Sequence, residues 1–571
     1  MTSYFLKKLK KIFRGSKKSS SLEIDPDQIF IDAENLPDFD LYQFEGRLEK
    51  PISKTVERAL IIFLIFVGLF FILRLFNLQI TNGKVLSEKS ENNRLHSTTI
   101  FADRGIIYDR NKVPLVWNTV NTATSSDFSW RQYATTTGLS TTLGYVKYPQ
   151  KDQNGFYFQE KIEAKDGLER IFDDTLSGID GKKMVETDAL GNITSEGIVE
   201  PPKSGKNITI SIDGKIQKAL YKSMLDISEM ASYKGGSAII LDIHTGEIIA
   251  LSNFPEYDST ILSDGSDSLK IKKWLSDKNN PFLNRAIDGL YTPGSIVKPF
   301  IAMGVLDRKI IDPNKTILST GSISIPNPYD PTKFSIFYDW RPQGHVDLRK
   351  ALAVSSNVYF YEVGGGFEKQ KGLGIYGIKQ YMNMFGFGTT TGINFYGEQN
   401  GVIPDPEWKK SVFNGEVWRL GDTYNTAIGQ YGMQITPIQA VRAISALANG
   451  GNLLVPTFEI GKTPIVSARI SLDPSYYKIV LEGMRDSVTE GTSQAINLPF
   501  VKIASKTGTA QIGINKDQVN SWTIGFWPYD NPHYAFVVVM EKGSKNNQFG
   551  SVLVWQQFFN WLNIYDNGYL K

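Results

Sequence analysis

The chain has 571 residues, enough for about three or four domains of ordinary size. Its formal net charge of +3 argues against a dedicated nucleic-acid-binding protein, so no nucleic acid is expected as a partner. It contains no cysteine, which excludes disulfides, thiol catalysis and cysteine-ligated zinc. Its four histidines are scattered along the sequence, so we expect no metal and no cofactor.

The first 58 residues have no sustained apolar pattern. Seven basic residues come first: Lys7, Lys8, Lys10, Lys11, Arg14, Lys17 and Lys18. An acidic stretch that contains proline follows, from Glu23 to Glu45. This composition predicts a disordered tail over residues 1–58. A second interpretation is that the basic head rests on anionic lipid.

Ala59–Ile80 is the one candidate for a membrane span in the sequence. Its first part, Ala59–Leu73, is uncharged and apolar, and the apolar run continues to Leu78 after Arg74. About 20 residues cross a bilayer, and the segment reaches this length if the Arg74 side chain extends to the outer interface. A buried helix of a soluble domain is the alternative, but this run is apolar on all faces.

A cleaved signal peptide is not favoured, because the run begins near residue 59 and has no small-residue cleavage site. The basic residues before the span place the N-terminus in the cytoplasm. We therefore expect a single-pass membrane protein in which everything after residue 80 is extracytoplasmic.

Residues 81–232 alternate short β-type runs with turns. Arg104–Arg110 is such a run, and Asn111–Lys112 is the turn that follows it. We predict a β-rich α+β domain with no catalytic residues. A helical pattern over Asp213–Glu229 joins it to the next domain.

Residues 233–571 predict a large α/β domain. Ser237–Asp242 and Ile248–Leu251 flank a turn and predict a hairpin, and helical patterns such as Leu348–Tyr361 follow. The C-terminal part returns to strands at Trp522–Trp527 and Tyr534–Met540 before a last helix. Strands at both ends of the region predict one sheet, built from distant segments and flanked by helices.

A serine and a lysine at Ser-x-x-Lys spacing follow the turn Pro293-Gly294. If a helix begins at Ser295, Lys298 lies one turn later on the same face. A serine hydroxyl needs a neighbouring base to act as a nucleophile, and a buried neutral lysine can serve. The pattern is weak alone, because Ser475 and Lys478 repeat it; a helix cap with a solvated lysine is the ordinary explanation.

Two further motifs follow in this domain. Ser355 and Asn357 form a Ser-x-Asn pattern, which also occurs elsewhere in the chain. Lys506-Thr507-Gly508 occurs once, continues into Thr509, and is predicted to lie at a sheet edge, where Gly508 lets a substrate backbone come close.

The ordered set of the three motifs resembles the penicillin-binding proteins and serine β-lactamases, and this order selects Ser295 over Ser475. Arg104–Arg110 and Gly167–Glu169 resemble the pedestal of the class B penicillin-binding proteins. Segments around the motifs, such as Asp339-Trp340, are most similar to the elongation type, penicillin-binding protein 2. The resemblance covers residues 59–571; the long N-terminal tail departs from it, and a cysteine-containing metal loop cannot exist here.

The resemblance implies a role for each motif residue. Ser295 attacks the carbonyl between the terminal D-alanines of a peptidoglycan stem peptide, and Lys298 takes its proton. Ser355 relays a proton to the leaving amine, while Asn357 holds Lys298 and the substrate amide. The resemblance also gives the third motif a binding role: Lys506, Thr507 and Thr509 bind the substrate carboxylate, and the N–H groups of Ser295 and Thr509 form the oxyanion hole.

The same resemblance implies a peptidoglycan D,D-transpeptidase of the bacterial inner membrane that acts in cell-wall elongation and is inhibited by β-lactams. Residues 81–232 are too few and too β-like for a glycosyltransferase domain. We therefore expect a SEDS-type, RodA-like glycan polymerase and membrane proteins of the elongation complex as partners.

Two other functions remain open. A D,D-carboxypeptidase or β-lactamase would use water in place of the acceptor amine, but the chain has no Glu-x-x-x-Asn element between Asn357 and Lys506. A membrane β-lactam sensor or an inactive scaffold is the non-enzymatic alternative. A sensor would be expected to have several spans, and a scaffold would not be expected to keep all the motif residues.

Overall fold

The computed structural model describes residues 53–87, 95–120, 128–135, 137–151, 157–187, 193–327, 330–513, 515–547 and 549–571. It divides into two compact units, Met1–Asn92 and Asn93–Lys571. The basic head and the acidic stretch of the predicted tail lie outside the described residues.

The first unit contains one long helix, α1 (Lys54–Phe76), which continues as a π-helical turn over Asn77–Thr81. Ser53 caps α1, its side chain accepting a hydrogen bond from Val56 N at 3.4 Å. None of the α1 residues is buried, although most are apolar. The run from Lys54 to Thr81 has 28 residues and is long and apolar enough to cross a membrane, and it contains the predicted span.

Small sheets and short helices follow. The strands are β1 (Leu95–Ile100), β2 (Ile107–Tyr108), β3 (Pro114–Thr119), β4 (Trp130–Tyr133), β5 (Val146–Lys147), β6 (Gln150–Lys151), β7 (Tyr157–Gln159), β8 (Glu163–Ala164), β9 (Gly181–Thr187), β10 (Ile193–Glu200) and β11 (Ile208–Thr209). The helices are α2 (Ser140–Leu143), α3 (Gly167–Ile171) and α4 (Asp173–Leu176). The two largest sheets have the strand orders β1-β9-β10 and β11-β2-β3-β4. This is the β-rich α+β region that the sequence predicts.

A buried carboxylate holds this region together. Glu169 in α3 is fully buried and forms ion pairs with Arg104 at 2.8 Å and with Arg131 of β4 at 2.7 Å. Burial raises the pKa of Glu169, but Arg131 and Arg104 lower it more, so the pKa lies below its ordinary value. The Arg104 segment, β4 and α3 are therefore fixed to one another through a single charged group.

The rest of the chain is built on a five-stranded antiparallel sheet. Its strands and those of smaller hairpins are β12 (Gly235–Asp242), β13 (Ile248–Phe254), β14 (Ile317–Ser319), β15 (Ser322–Asn327), β16 (Asp330–Tyr338), β17 (Gly344–Val346), β18 (Asn452–Leu454), β19 (Val466–Arg469), β20 (Ala504–Ile512), β21 (Gln518–Trp527) and β22 (Tyr534–Ser544). The sheet order is β13-β12-β22-β21-β20. Because β12 pairs with β22, the sheet joins distant segments as predicted, and β20 forms its edge.

Helices cover both faces of this sheet. They are α5 (Gly214–Ala231), α6 (Ser259–Asp264), α7 (Ser268–Ser276), α8 (Lys298–Asp307), α9 (Leu348–Ala353), α10 (Asn357–Gly365), α11 (Gly374–Met384), α12 (Pro406–Val412), α13 (Leu420–Ala427), α14 (Pro437–Ala448), α15 (Pro474–Thr489) and α16 (Val552–Tyr565). Alternation along β12 sends Ile239 and Leu241 into one core and Ala238 and Ile240 into the other. Helix α14 packs in the first core, and α5 and α16 pack in the second.

The predicted helical segment Leu348–Tyr361 is two helices in the structure, α9 and α10. They are separated at Ser355, whose φ of 59° is left-handed and cannot continue a right-handed helix. Ser356 then caps α10, its side chain accepting a hydrogen bond from Tyr359 N. This break forms a tight turn that carries the Ser-x-Asn motif.

Candidate active site

The proposed nucleophile lies on a turn forced by close backbone packing. Gly294 has a φ of 58°, and a Cβ at this position would lie 2.8 Å from the carbonyl oxygen of Thr509. Gly294 N also donates to Gly429 O at 3.0 Å. Ser295 follows within a 3-10 turn, Gly294–Val297, and α8 begins only at Lys298. The helix therefore starts three residues later than expected, but the turn still brings Ser295 beside β20.

Lys298 is completely buried at the start of α8. Its Nζ donates to Asn357 Oδ1 at 2.8 Å and to the Ser355 carbonyl at 2.9 Å, and it lies 3.4 Å from Ser355 Oγ. Burial lowers the pKa of Lys298 to about 7, although the negative charge of Asp339 opposes this shift. The amine is therefore available as a base near neutral pH.

Lys506 approaches the same serine from the sheet edge. Its Nζ donates to Ser355 Oγ at 2.8 Å and to the Thr507 carbonyl at 2.8 Å, and the side chain is fully buried. Burial and the nearby Lys298 both lower its pKa well below the ordinary value. Ser355 Oγ therefore lies between the amines of Lys298 and Lys506.

The Lys506-Thr507-Gly508-Thr509 segment occupies edge strand β20, as the sequence predicts. Gly508 is needed for packing, because a Cβ there would lie 2.8 Å from the carbonyl oxygen of Pro293. Thr507 Oγ1 is hydrogen-bonded to Thr492 Oγ1 at 2.7 Å, and Thr509 is exposed.

These groups surround one cleft of about 470 Å³. It is lined by Ser295, Trp340, Ser355, Asn357, Thr492, Thr507, Gly508, Thr509, Ser521, Gly550, Ser551 and Val552. Six of the eight predicted site residues line the cleft, and the two lysines, Lys298 and Lys506, are buried behind it. Seven of the twelve lining residues are serine or threonine, so the cleft offers several hydroxyl groups to a polar ligand.

The second Ser-x-x-Lys copy lies away from this cleft, in α15. Asp473 caps that helix and accepts hydrogen bonds from the backbone N and the Oγ of Ser475, at 2.8 and 2.7 Å. The Lys478 side chain is 78% exposed and faces Glu482 at 4.0 Å. This is the helix cap with a solvated lysine that the ordinary explanation describes.

Sequence reasoning gave no role to Thr492 or to the buried carboxylate of Asp339. Thr492 lies before the third motif in the sequence, and no local pattern marks it. Only the folded structure brings it into contact with Thr507. Asp339 was part of the family resemblance alone. Among the described residues, no cluster of three or more histidine or acidic side chains has the arrangement of a metal site.

Two family models match the chain: the penicillin-binding protein transpeptidase domain over residues 236–559 and the penicillin-binding protein dimerisation domain over residues 120–210. The chain is 27% identical to peptidoglycan D,D-transpeptidase MrdA of Escherichia coli K12, over 90% of this chain and 95% of that protein. It is 31% identical to MrdA of Haemophilus influenzae, over 71% and 65% of the respective chains.

Solved structures agree with these matches. Penicillin-binding protein 2 of Pseudomonas aeruginosa is similar with a TM-score of 0.68 and 28% identity, over 83% of this chain and 98% of that chain. In a complex of penicillin-binding protein 2 with MreC from Helicobacter pylori, the matching chain has a TM-score of 0.66 and 25% identity, over 83% and 99%. The chain therefore belongs to the penicillin-binding protein transpeptidases, with the two-domain fold of penicillin-binding protein 2.

Proposed function

We propose that the chain is a serine-type peptidoglycan D,D-transpeptidase that cross-links stem peptides during cell-wall elongation. The observation that carries this proposal is the buried Lys298, whose pKa is lowered to about 7 and whose amine meets both Ser355 and Asn357. Curated relatives named peptidoglycan D,D-transpeptidase MrdA match nearly the whole chain and support the substrate class.

Acylation begins at Ser295. A neutral lysine has two N–H bonds and one lone pair, and Lys298 directs hydrogen bonds to the Ser355 carbonyl and to Asn357 Oδ1. With both N–H bonds so used, its lone pair accepts the Ser295 proton as the serine oxygen bonds to the penultimate D-alanine carbonyl carbon. The N–H groups of Ser295 and Thr509 stabilise the oxyanion, and the close contact of Gly294 with Thr509 supports this pairing.

Collapse of the tetrahedral intermediate breaks the peptide bond. The terminal D-alanine leaves as its free amine after receiving a proton through Ser355 Oγ, which is hydrogen-bonded to Lys506 and lies near Lys298. The ester on Ser295 is then attacked by an amine of a second stem peptide. That amine loses one proton, the serine oxygen regains one, and an amide cross-link forms.

Lys506, Thr507 and Thr509 bind the carboxylate of the terminal D-alanine. Burial and Lys298 disfavour the charged form of Lys506 in the free protein. A bound carboxylate brings the opposite charge, so that substrate binding restores the cationic form and forms a charge-assisted contact. Gly508 lines the cleft beside Thr507 and Thr509, and its missing side chain lets β20 pack against the Pro293 carbonyl. A penicillin, which carries a carboxylate and a reactive carbonyl, is held by the same groups.

The domain boundaries also belong to this proposal. They are a cytoplasmic tail at residues 1–58, a transmembrane helix at 59–80, a pedestal at 81–232 and a transpeptidase domain at 233–571. The matched family ranges lie inside the last two. The apolar helix supports a single-pass protein of the inner membrane, and the basic head supports a cytoplasmic N-terminus.

We infer two kinds of partner. A SEDS-type, RodA-like polymerase supplies the glycan strands, because residues 81–232 are too few and too β-like for a glycosyltransferase domain. Membrane proteins of the elongation complex are the second kind, with the pedestal as their contact surface; a similar protein solved in complex with MreC supports a partner of this kind.

The deciding experiment follows the fate of the acyl-enzyme. The purified full chain is mixed with a donor that ends in D-Ala-D-Ala and with an acceptor amine, and products are identified by mass spectrometry. We expect a Ser295 ester and an amide product that increases with acceptor concentration. Hydrolysis alone, unaffected by acceptor, would establish the carboxypeptidase alternative. Absence of any adduct would establish a non-enzymatic protein.

A further inference from the structure

A buried carboxylate lies behind the Ser-x-Asn turn. Asp339 directly follows β16, and its Oδ2 accepts hydrogen bonds from Ser356 Oγ at 2.7 Å, Val358 N at 3.1 Å and Ser319 Oγ at 3.1 Å. Its Oδ1 accepts a fourth from Trp340 N at 2.9 Å. Two of these four donors belong to the start of α10. The carboxylate therefore binds the turn through both a side chain and a backbone N–H.

The neighbours of Asp339 contact the turn on its other sides. Trp340 Nε1 donates to Val354 O at 3.1 Å, just before the turn. The Tyr338 carbonyl accepts a hydrogen bond from Asn357 Nδ2 at 3.3 Å. The segment from Tyr338 to Trp340 thus holds residues on both sides of Ser355.

Such support is needed because Ser355 is strained. Its left-handed φ of 59° is unfavourable for a residue with a Cβ and persists only where the surroundings impose it. The same conformation aims Ser355 Oγ and the Ser355 carbonyl at the lysine amines.

We propose that Asp339 is a positioning residue for acyl transfer: its carboxylate holds the turn so that Ser355 and Asn357 meet Lys298. The inference rests on the proposed function, since Lys298 acts there as the base. Asp339 is not itself among the residues that line the cleft, and it acts through the turn, through Trp340 and through its charge.

The charge of Asp339 has a second effect, on the pKa of Lys298, which can be measured separately from its hold on the turn. Asp339 is the charged group that acts on the pKa of Lys298, and it favours the protonated form. Lys506 is the other titratable amine nearby, and Lys298 lowers its pKa. The Tyr361 phenol also faces Asp339, and the Phe360 ring lies 5.4 Å from Lys298 Nζ. Removing the carboxylate charge therefore shifts the pKa of Lys298 further down.

Three variants separate the two effects. Asp339→Asn keeps the shape but removes the charge, and its amide leaves at least one of the four donors without an acceptor. Ser356→Ala breaks the link to the turn but keeps the charge. Asp330→Asn, at the exposed beginning of the same strand β16, is the matched control. The rate constant of acylation by fluorescent penicillin is measured for each across the neutral pH range, with thermal unfolding as a folding control.

For Asp339→Asn we expect acylation to fall by about 100-fold and the acidic limb of its pH profile to move down by about one unit. Ser356→Ala should be acylated about 10-fold more slowly, with the acidic limb of its pH profile at the wild-type position. Asp330→Asn should match the wild type in both rate and pH profile. If Asp339→Asn folds and keeps the wild-type acylation rate and pH profile, the inference is wrong. If Asp339→Asn does not fold, Ser356→Ala decides: a wild-type rate overturns the inference, and a lowered rate with an unmoved limb supports it. Failure of the wild type itself to acylate would instead defeat the proposed function.

Discussion

Lys506 Nζ donates a hydrogen bond to Ser355 Oγ at 2.8 Å, and Lys298 Nζ lies 3.4 Å from the same oxygen. Two buried amines around one hydroxyl cannot both be charged without a large cost, and the pKa values of both are lowered. A neutral amine at this position is what the proposed proton transfer requires.

Replacing the nucleophile should end covalent labelling. Ser295→Ala removes the hydroxyl beside β20, so labelling by fluorescent penicillin should be lost completely. Ser475→Ala is the matched control, because Ser475 has the same Ser-x-x-Lys spacing but only donates hydrogen bonds to Asp473, the N-cap of α15. It should label at the wild-type rate. Labelling that survives in Ser295→Ala, or disappears in Ser475→Ala, would contradict the assignment of the nucleophile.

The acylation rate should rise with pH through about 7. The reason is that only neutral Lys298 accepts a proton, and burial lowers its pKa to about 7. Below that pH the amine is protonated and the rate falls; above it the rate reaches a plateau. Penicillin acylation measured by stopped flow over pH checks this. An acidic limb near the ordinary lysine value would contradict the buried neutral base.

Lys298→Arg tests the same base by substitution. Arginine keeps a positive charge and cannot be neutralised near pH 7, so acylation should fall by about 10²–10⁴-fold while the protein remains folded. Circular dichroism and thermal unfolding monitor folding. Acylation by folded Lys298→Arg at nearly the wild-type rate would exclude Lys298 as the base.

Much of this site could be predicted from the sequence, because the three motifs occur in an order that resembles a known family, although the first two patterns recur elsewhere in the chain. The turn before Ser295 and the single Lys506-Thr507-Gly508 segment add local signals, and β20 is the predicted sheet edge. The break of the helical segment at Ser355 could not be predicted. Its apolar pattern continues across the turn, whereas the left-handed φ is imposed by contacts with distant segments.

The same limit applies to the contacts that complete the site. Thr492 is hydrogen-bonded to Thr507, and Gly429 packs against Gly294. These contacts join segments that are distant in the sequence and that no periodic pattern connects. The overall sheet was predictable in outline, since strands at both ends of the domain leave few ways to bury their apolar side chains.

A side chain at Gly294 should disturb the oxyanion hole. Gly294→Ala must adopt a left-handed φ and places a Cβ 2.8 Å from Thr509 O, so Ser295 and Thr509 should move apart. We expect acylation to fall by about 10²–10³-fold. Gly265→Ala is the matched control, because Gly265 has a φ of 67° and no atoms within 4 Å of the added Cβ.

Both glycine variants should lose about 1 kcal/mol of stability or more from the backbone strain alone, as measured by thermal or urea unfolding. Only Gly294→Ala should lose acylation. Equal acylation in the two variants would show that the contact between Gly294 and Thr509 does not align the two N–H groups.

The buried carboxylate of the pedestal should carry much of its stability. Glu169→Gln leaves Arg131 buried without a counter-charge and leaves Arg104 with only Asp173, so the free energy of unfolding should fall by about 3–5 kcal/mol. Glu196→Gln removes an exposed partner of Lys183 in the same region and should cost about 1 kcal/mol or less. Equal losses in urea unfolding would contradict a structural role for the buried cluster.

Acid should weaken the same cluster in the wild type. The pKa of Glu169 is below its ordinary value in the folded protein, so its contribution is complete above the unfolded pKa of about 4.3. The contribution disappears as the pH falls through the folded pKa. The stability difference between the wild type and Glu169→Gln should therefore shrink below about pH 4.

The apolar helix should do more than anchor the chain. In α1, apolar side chains are exposed on every face, so the helix offers its surface to other helices in lipid as well as to lipid itself. We expect replacement of Ala59–Ile80 by an unrelated span to reduce co-purification with a RodA-like polymerase and to reduce glycan polymerisation by the pair. Penicillin acylation should be unchanged, and it serves as the folding control.

If co-purification and polymerisation are both unchanged, the span is only an anchor. If the purified chain alone polymerises lipid II, the proposed division of labour between the two proteins is wrong.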